Sequence, residues 1–164
     1  MENHGINRIP GVNTVLVVLS ATGLVYDIEA LRHVILLAYP GTVVFFKSTN
    51  GKPIGVLPVG KIDLLIDFTG PGQRQCSRLV RKFRRTAKMA VGRSVGRVRA
   101  KRYDRVFNEI SMAFNFPDML LRESMVQREV LALAGIPLVP CGDTPMDRSK
   151  SIARELPPLC GLSG

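Results

Sequence analysis

Cysteine is scarce in this sequence, and the three present, Cys76, Cys141 and Cys160, form no CxxC pair. An odd, unpaired set argues against a disulfide scaffold or a zinc ribbon and fits a reducing compartment. Histidine is scarcer still. His4 lies in the opening segment and His33 inside a helical pattern, so neither a catalytic triad nor a metal-ligand spacing is visible. No cofactor and no metal is therefore expected. Long apolar runs are missing as well. The stretch from Val15 to Leu19 is too short for a signal-peptide core, and no run approaches the roughly 18 apolar residues of a membrane span. Internal repeats are absent. These absences lead to the expectation of a cytoplasmic protein, peripheral at the inner membrane face if it is membrane-bound at all.

What is there suits one globular domain: 164 residues, 46% of them hydrophobic. Its formal charge of +10 is concentrated in one segment. Thirteen of the 23 Lys and Arg lie between Arg74 and Arg105, against one acid, Asp104. A field that local points to a polyanionic ligand such as phosphate, nucleic acid, anionic lipid or an acidic sugar. A solubilising helix face is the plain alternative. Arginine supplies ten of the thirteen bases, and its fork suits phosphate and carboxylate oxygens better than solubility requires. No helix-turn-helix, zinc finger or RNP aromatic set accompanies the charge, so nucleic acid is the less favoured ligand.

Residues 13–20, NTVLVVLS, read as a strand buried on both faces. Residues 26–39 read as a helix, with Ile28, Leu31, Ile35 and Ala38 near helical spacing and Pro40-Gly41 ending it. Residues 42–47 and 61–68 are further strands, and the three Gly and two Pro of residues 48–60 predict a loop. A basic amphipathic helix is expected over residues 73–91, on the spacing of Cys76, Leu79, Val80, Phe83, Ala87, Ala90 and Val91, with Gly92 and Gly96 ending it. Residues 103–107 form a short strand. Asp118 caps a helix over residues 119–134, and Gly135 follows it. Strands alternating with helices predict an α/β fold: a single Rossmann-like domain, with a parallel sheet and helices on both faces. Its bounds are residues 12–136, between a flexible arm (residues 1–11) and a proline-rich extended tail (residues 137–164).

Ligands of open α/β sheets bind at the carboxyl ends of the strands. Two strand-to-helix turns are therefore candidate sites. The first holds Ser20, Thr22 and Gly23, whose hydroxyls and following amides suit an anion. The second holds Thr69 and Gly70, with Arg74 close behind and Arg78, Arg81 and Arg85 at helical intervals. A single glycine in the first turn is weak evidence for a dinucleotide. Asp27 is either a general base or a first-turn carboxylate on the helix dipole, the second being favoured.

The order of these motifs resembles the opening of heptosyltransferases of glycosyltransferase family 9. The resemblance rests on Ser20-Ala21-Thr22-Gly23 after the first strand, on Glu29-Ala30-Leu31-Arg32, on Ile62-Asp63-Leu64-Leu65-Ile66-Asp67-Phe68-Thr69-Gly70, and on QREVLALAGI over residues 127–136. It implies a two-domain enzyme in which an amino-terminal Rossmann-like domain receives an acidic lipopolysaccharide acceptor and a second domain holds an ADP-sugar. The family pattern places its catalytic aspartate directly after the turn glycine, and Leu24 stands there in this sequence. Asp27, three residues on, is the substitute candidate. The chain stops about where the donor domain would begin. The resemblance thus leads to an acceptor domain for an anionic glycan or lipid headgroup, incomplete as an enzyme and completed by a donor-domain partner protein or a homo-oligomer. The competing class is a non-enzymatic basic interaction module for nucleic acid, a membrane surface or a protein assembly.

Overall fold

The computed structural model describes residues 8–19, 27–48, 53–54, 60–69, 80–95, 102–110 and 118–137. In chain order the elements are β1 (Thr14–Leu19), α1 (Ile28–Ala38), β2 (Val43–Ser48), β3 (Pro53–Ile54), β4 (Ile62–Asp67), β5 (Ala87–Ser94), β6 (Arg105–Asn108) and α2 (Met119–Leu133). The strands form one sheet in the order β3-β2-β1-β4-β5-β6. Five of them run parallel, and only β3, at the edge, is antiparallel to its neighbour. The expected α/β Rossmann-like domain is present.

Register follows from apolar composition. Val17 faces Phe46 on one side and Ile66 on the other, so the three apolar runs lie side by side. Every residue of β1 from Val15 onward is buried, as are all six of β4. Alternation along the strands divides the core into two layers. Val15, Val17, Phe46, Leu64 and Ile66 pack under α1 and α2. Leu16, Val18 and Leu65 pack on the opposite face under Val80 and Phe83, from the helical residues 80–84. Leu16 and Ile66 are fully buried, and truncating either to Ala costs about 2–5 kcal/mol.

Local chemistry sets the helix ends. Asp27 is the N-cap of α1, its Oδ1 accepting the Ala30 N–H at 3.0 Å. Asp118 plays the same part for α2, accepting the Leu121 N–H at 3.3 Å. At the far end of α2, Gly135 has φ +78°, where a side chain is strained. Its N–H donates to the Ala132 carbonyl (3.0 Å) and that of Ile136 to Leu131 (2.9 Å), which is a Schellman cap closed by two buried apolar side chains.

Three expectations are corrected. The basic helix does not run to residue 91: its helical residues end at Arg84, the Thr86 N–H turns back to the Phe83 carbonyl (3.0 Å), and the chain then enters the sheet as β5. Gly92 therefore lies inside a strand and ends no helix. The loop over residues 48–60 contains β3, paired with β2 through Phe46–Ile54 and Lys47–Pro53. An edge strand is the place where proline is tolerated. The opening arm is packed from Ile9 onward, since Ile9 is buried and its N–H donates to the Tyr39 hydroxyl at 3.0 Å. The arm before Arg8 and the tail after Pro137 lie outside the described residues.

Candidate ligand-binding crevice

Counting the parallel strands alone, the sheet order is 2-1-3-4-5, and it reverses between β1 and β4. At such a switch point the connections leave toward opposite faces, and a crevice opens at the carboxyl ends of the two strands. Here those ends are neighbours. Val18 pairs with Asp67, and the Phe68 N–H donates to the Val18 carbonyl at 3.0 Å.

The β4 exit is tightly bonded on the face opposite α1 and α2. Asp67 is fully buried, and its Oδ1 accepts both the N–H (2.8 Å) and the hydroxyl (2.5 Å) of Thr69. Its Oδ2 accepts the hydroxyl of Tyr103. The Tyr103 ring lies against Gly92, where a side chain would collide with it. Residues 36 apart in sequence thus meet beneath the turn.

On the α2 face, Arg93 projects from the end of β5. Glu109 takes its guanidinium in a two-point contact (2.6 and 3.1 Å), Glu123 of α2 takes Nη1, and Nη1 also reaches the Phe68 carbonyl at 3.4 Å. All three charged side chains are buried. Burial opposes the charge on Arg93, but the bonds to Glu109 and Glu123 outweigh it and hold its pKa above the ordinary guanidinium range. One helical turn along α2, the Gln127 amide is fully buried with neither polar atom partnered.

The expected site residues are only partly brought together. Thr69 is at the crevice but fully buried, with its N–H and hydroxyl directed at Asp67. Asp27 commits Oδ1 to the α1 cap. Ser20, Thr22, Gly23, Gly70, Arg74 and Arg78 lie outside the described residues. Arg81 and Arg85 are exposed. Arg85 directly precedes Thr86, whose carbonyl accepts the Ile62 N–H at the start of β4. It therefore sits at the opposite edge of the sheet from Thr69, a six-residue strand or roughly 20 Å away.

Among the described residues, the basic segment is not one anion-facing surface. Arg84 pairs with Asp104 through two 3.0 Å bonds, and Lys88 pairs with Asp63 at 2.7 Å. Arg93 is inside the triad, and Arg105 donates to the Leu133 carbonyl at 2.9 Å. These four bases fasten the sheet. Sequence reasoning missed Tyr103, Arg93, Glu109 and Glu123 as neighbours of the crevice. The only local signal was Arg93 itself, a charge within an apolar run that needs a buried partner.

Among the described residues no group of three or more His, Cys, Asp or Glu is placed to hold a metal, and no helix is long and apolar enough to cross a membrane. Fold and crevice define a doubly wound parallel α/β domain. No family model, curated protein or solved structure matches the chain.

Proposed function

We propose that this chain is a glycosyltransferase-like acceptor domain, which binds an anionic glycan or lipopolysaccharide-type headgroup and does not complete a transfer alone. The observation that carries this reading is the adjacency of the β1 and β4 exits. Two of the sequence stretches that resemble family 9 heptosyltransferases lead into the chain beyond these exits: residues 20–23 come directly after β1, and residues 62–70 comprise β4 and the next three residues. A switch point is where open α/β sheets take their ligands. Arg74 and Arg78 come next in sequence and supply forks for phosphate or carboxylate. Leu24 in the family's base position accepts no proton, and Asp27 already caps α1. Catalysis would call for a donor site outside the described domain, and the proposed setting is the inner face of a membrane, where such acceptors are presented.

The test is a thermal-shift titration with a deacylated lipopolysaccharide inner-core oligosaccharide, against its dephosphorylated form. The charged glycan raises the melting temperature and the dephosphorylated one does so less. A ligand at 100 times its dissociation constant adds about 2.7 kcal/mol. Added ADP-sugar gives no product. Product formation abolished by Asp27→Asn would overturn the incomplete-enzyme part of the reading.

One observation favours the second reading, a basic interaction module. Arg81, Lys82 and Arg85 are exposed charged side chains at or just beyond the end of one helix. Equal binding of heparin, DNA and anionic vesicles, with a salt slope flattened by Arg81→Glu and Arg85→Glu together, would establish that reading instead.

A further inference from the structure

The exit of β4 is tied from three directions. In the plane of the sheet the Phe68 N–H is bonded to Val18. On one face Asp67 gathers Thr69 and Tyr103. On the other, Arg93, itself held by Glu109 and Glu123, reaches the Phe68 carbonyl. Two consecutive residues thus receive ties from β1, from the chain just before β6, and from the β5–α2 layer. Asp67, Phe68 and Thr69 are fully buried, so their backbone groups need protein partners, but satisfying them calls for no buried arginine and no additional carboxylates. Burying one arginine and three carboxylates also stabilises a fold less than apolar packing of the same volume. What such a network does supply is a single fixed geometry at one place.

We propose that Tyr103 and Arg93 are positioning residues for ligand binding. Tyr103 acts through Asp67 on Thr69, and Arg93 acts through the Phe68 carbonyl. Together they hold the β4 exit in its binding geometry before the ligand arrives. This inference rests on the reading of the crevice as an anion-binding site. Its physical basis is preorganisation: a strand exit ordered in advance does not have to be ordered on binding, so affinity rises without a new contact.

The decisive variant is Tyr103→Phe, which removes the hydroxyl and leaves the ring over Gly92. The full chain is titrated calorimetrically with the deacylated inner-core oligosaccharide, well below its melting temperature. Wild type binds, and Tyr103→Phe binds about tenfold more weakly, with the loss in the entropy of binding. Val44→Ala, cut from the core beneath α1, lowers stability without touching the β4 exit and leaves affinity unchanged. A merely structural Tyr103 would behave like Val44. If Tyr103→Phe does not fold, Arg93→Lys, which gives up the guanidinium fork that spans Glu109 and the Phe68 carbonyl, takes its place with the same expectation. Unchanged affinity in the folded variant overturns the inference and leaves the anion site standing. Absence of binding by the wild type overturns the anion site, and the inference falls with it.

Discussion

A Cβ built on Gly92 would lie 2.3 Å from Cε1 of the Tyr103 ring, closer than any real side chain approaches another. The glycine sits inside β5, on the face opposite Arg93, and the ring fills the space that its missing side chain leaves. Gly92→Ala must displace the ring or the strand and costs about 1–3 kcal/mol in urea denaturation. The Tyr103–Asp67 bond goes with it. A neutral Gly92→Ala would show that the ring has room to move.

The Arg93 triad gives an asymmetric expectation. Arg93→Met leaves Glu109 and Glu123 buried and facing each other without a cation, and costs about 3–5 kcal/mol. Replacing all three together with apolar side chains of similar volume restores stability to the wild-type level or above it. Equilibrium unfolding of the single and triple variants measures both. A triple variant no more stable than Arg93→Met would mean that the charges contribute net stability.

Gln127 leads to the opposite sign. Its amide is buried with no partner, so Gln127→Met exchanges an unsatisfied polar group for an apolar one of similar length. Stability rises by about 1–3 kcal/mol, the penalty of an orphaned buried group. A loss of stability instead would reveal an ordered water on the amide.

Acid sensitivity is expected at the amino-terminal edge of the sheet. Asp63 accepts the N–H groups of Asn13 (2.8 Å) and Thr14 (3.0 Å) and pairs with Lys88. The Lys88 bond, with those of Asn13 and Thr14, outweighs the opposing effect of burial and holds its carboxyl below the ordinary aspartate range. A folded-state pKa below the unfolded one means that the proton binds the unfolded chain more tightly. The stabilisation is therefore complete above about pH 4 and is lost as pH falls through the lowered folded value. Subtracting the stability curve of Asp63→Asn from that of wild type isolates this contribution. Lys88→Ala shifts its loss to higher pH.

What the sequence revealed depended on how local each signal was. β1, β2 and β4 are short apolar runs between turn residues, and they were legible as strands. Asp118 and Gly135 announced helix ends because a cap is a contact within a few residues, whereas Asp27, read as a carboxylate inside the first turn, proves to be the cap itself. β5 was hidden because Phe83, Ala87, Ala90 and Val91 satisfy helical spacing as well as they satisfy burial on a sheet. The turn at residues 85–86 and the Gly92–Tyr103 contact decide between the two, and the second spans the chain to another strand. Thr69 was legible as part of a crevice turn. Its partners were not, because Asp67, Tyr103 and Arg93 come together only through the parallel pairing of β4, β5 and β6.

The Tyr39 hydroxyl accepts the N–H of Ile9 and donates to the carbonyl of Ala134 at 2.7 Å, bridging two residues 125 positions apart in the chain. A single phenol therefore latches the beginning of the described chain to the cap of its last helix. Neither end can fray by itself, because releasing Ile9 or α2 strands a buried hydroxyl. Opening there is coupled to the central sheet, so the amide of Ile9 should exchange its hydrogen as slowly as those of β1, although it lies outside every strand.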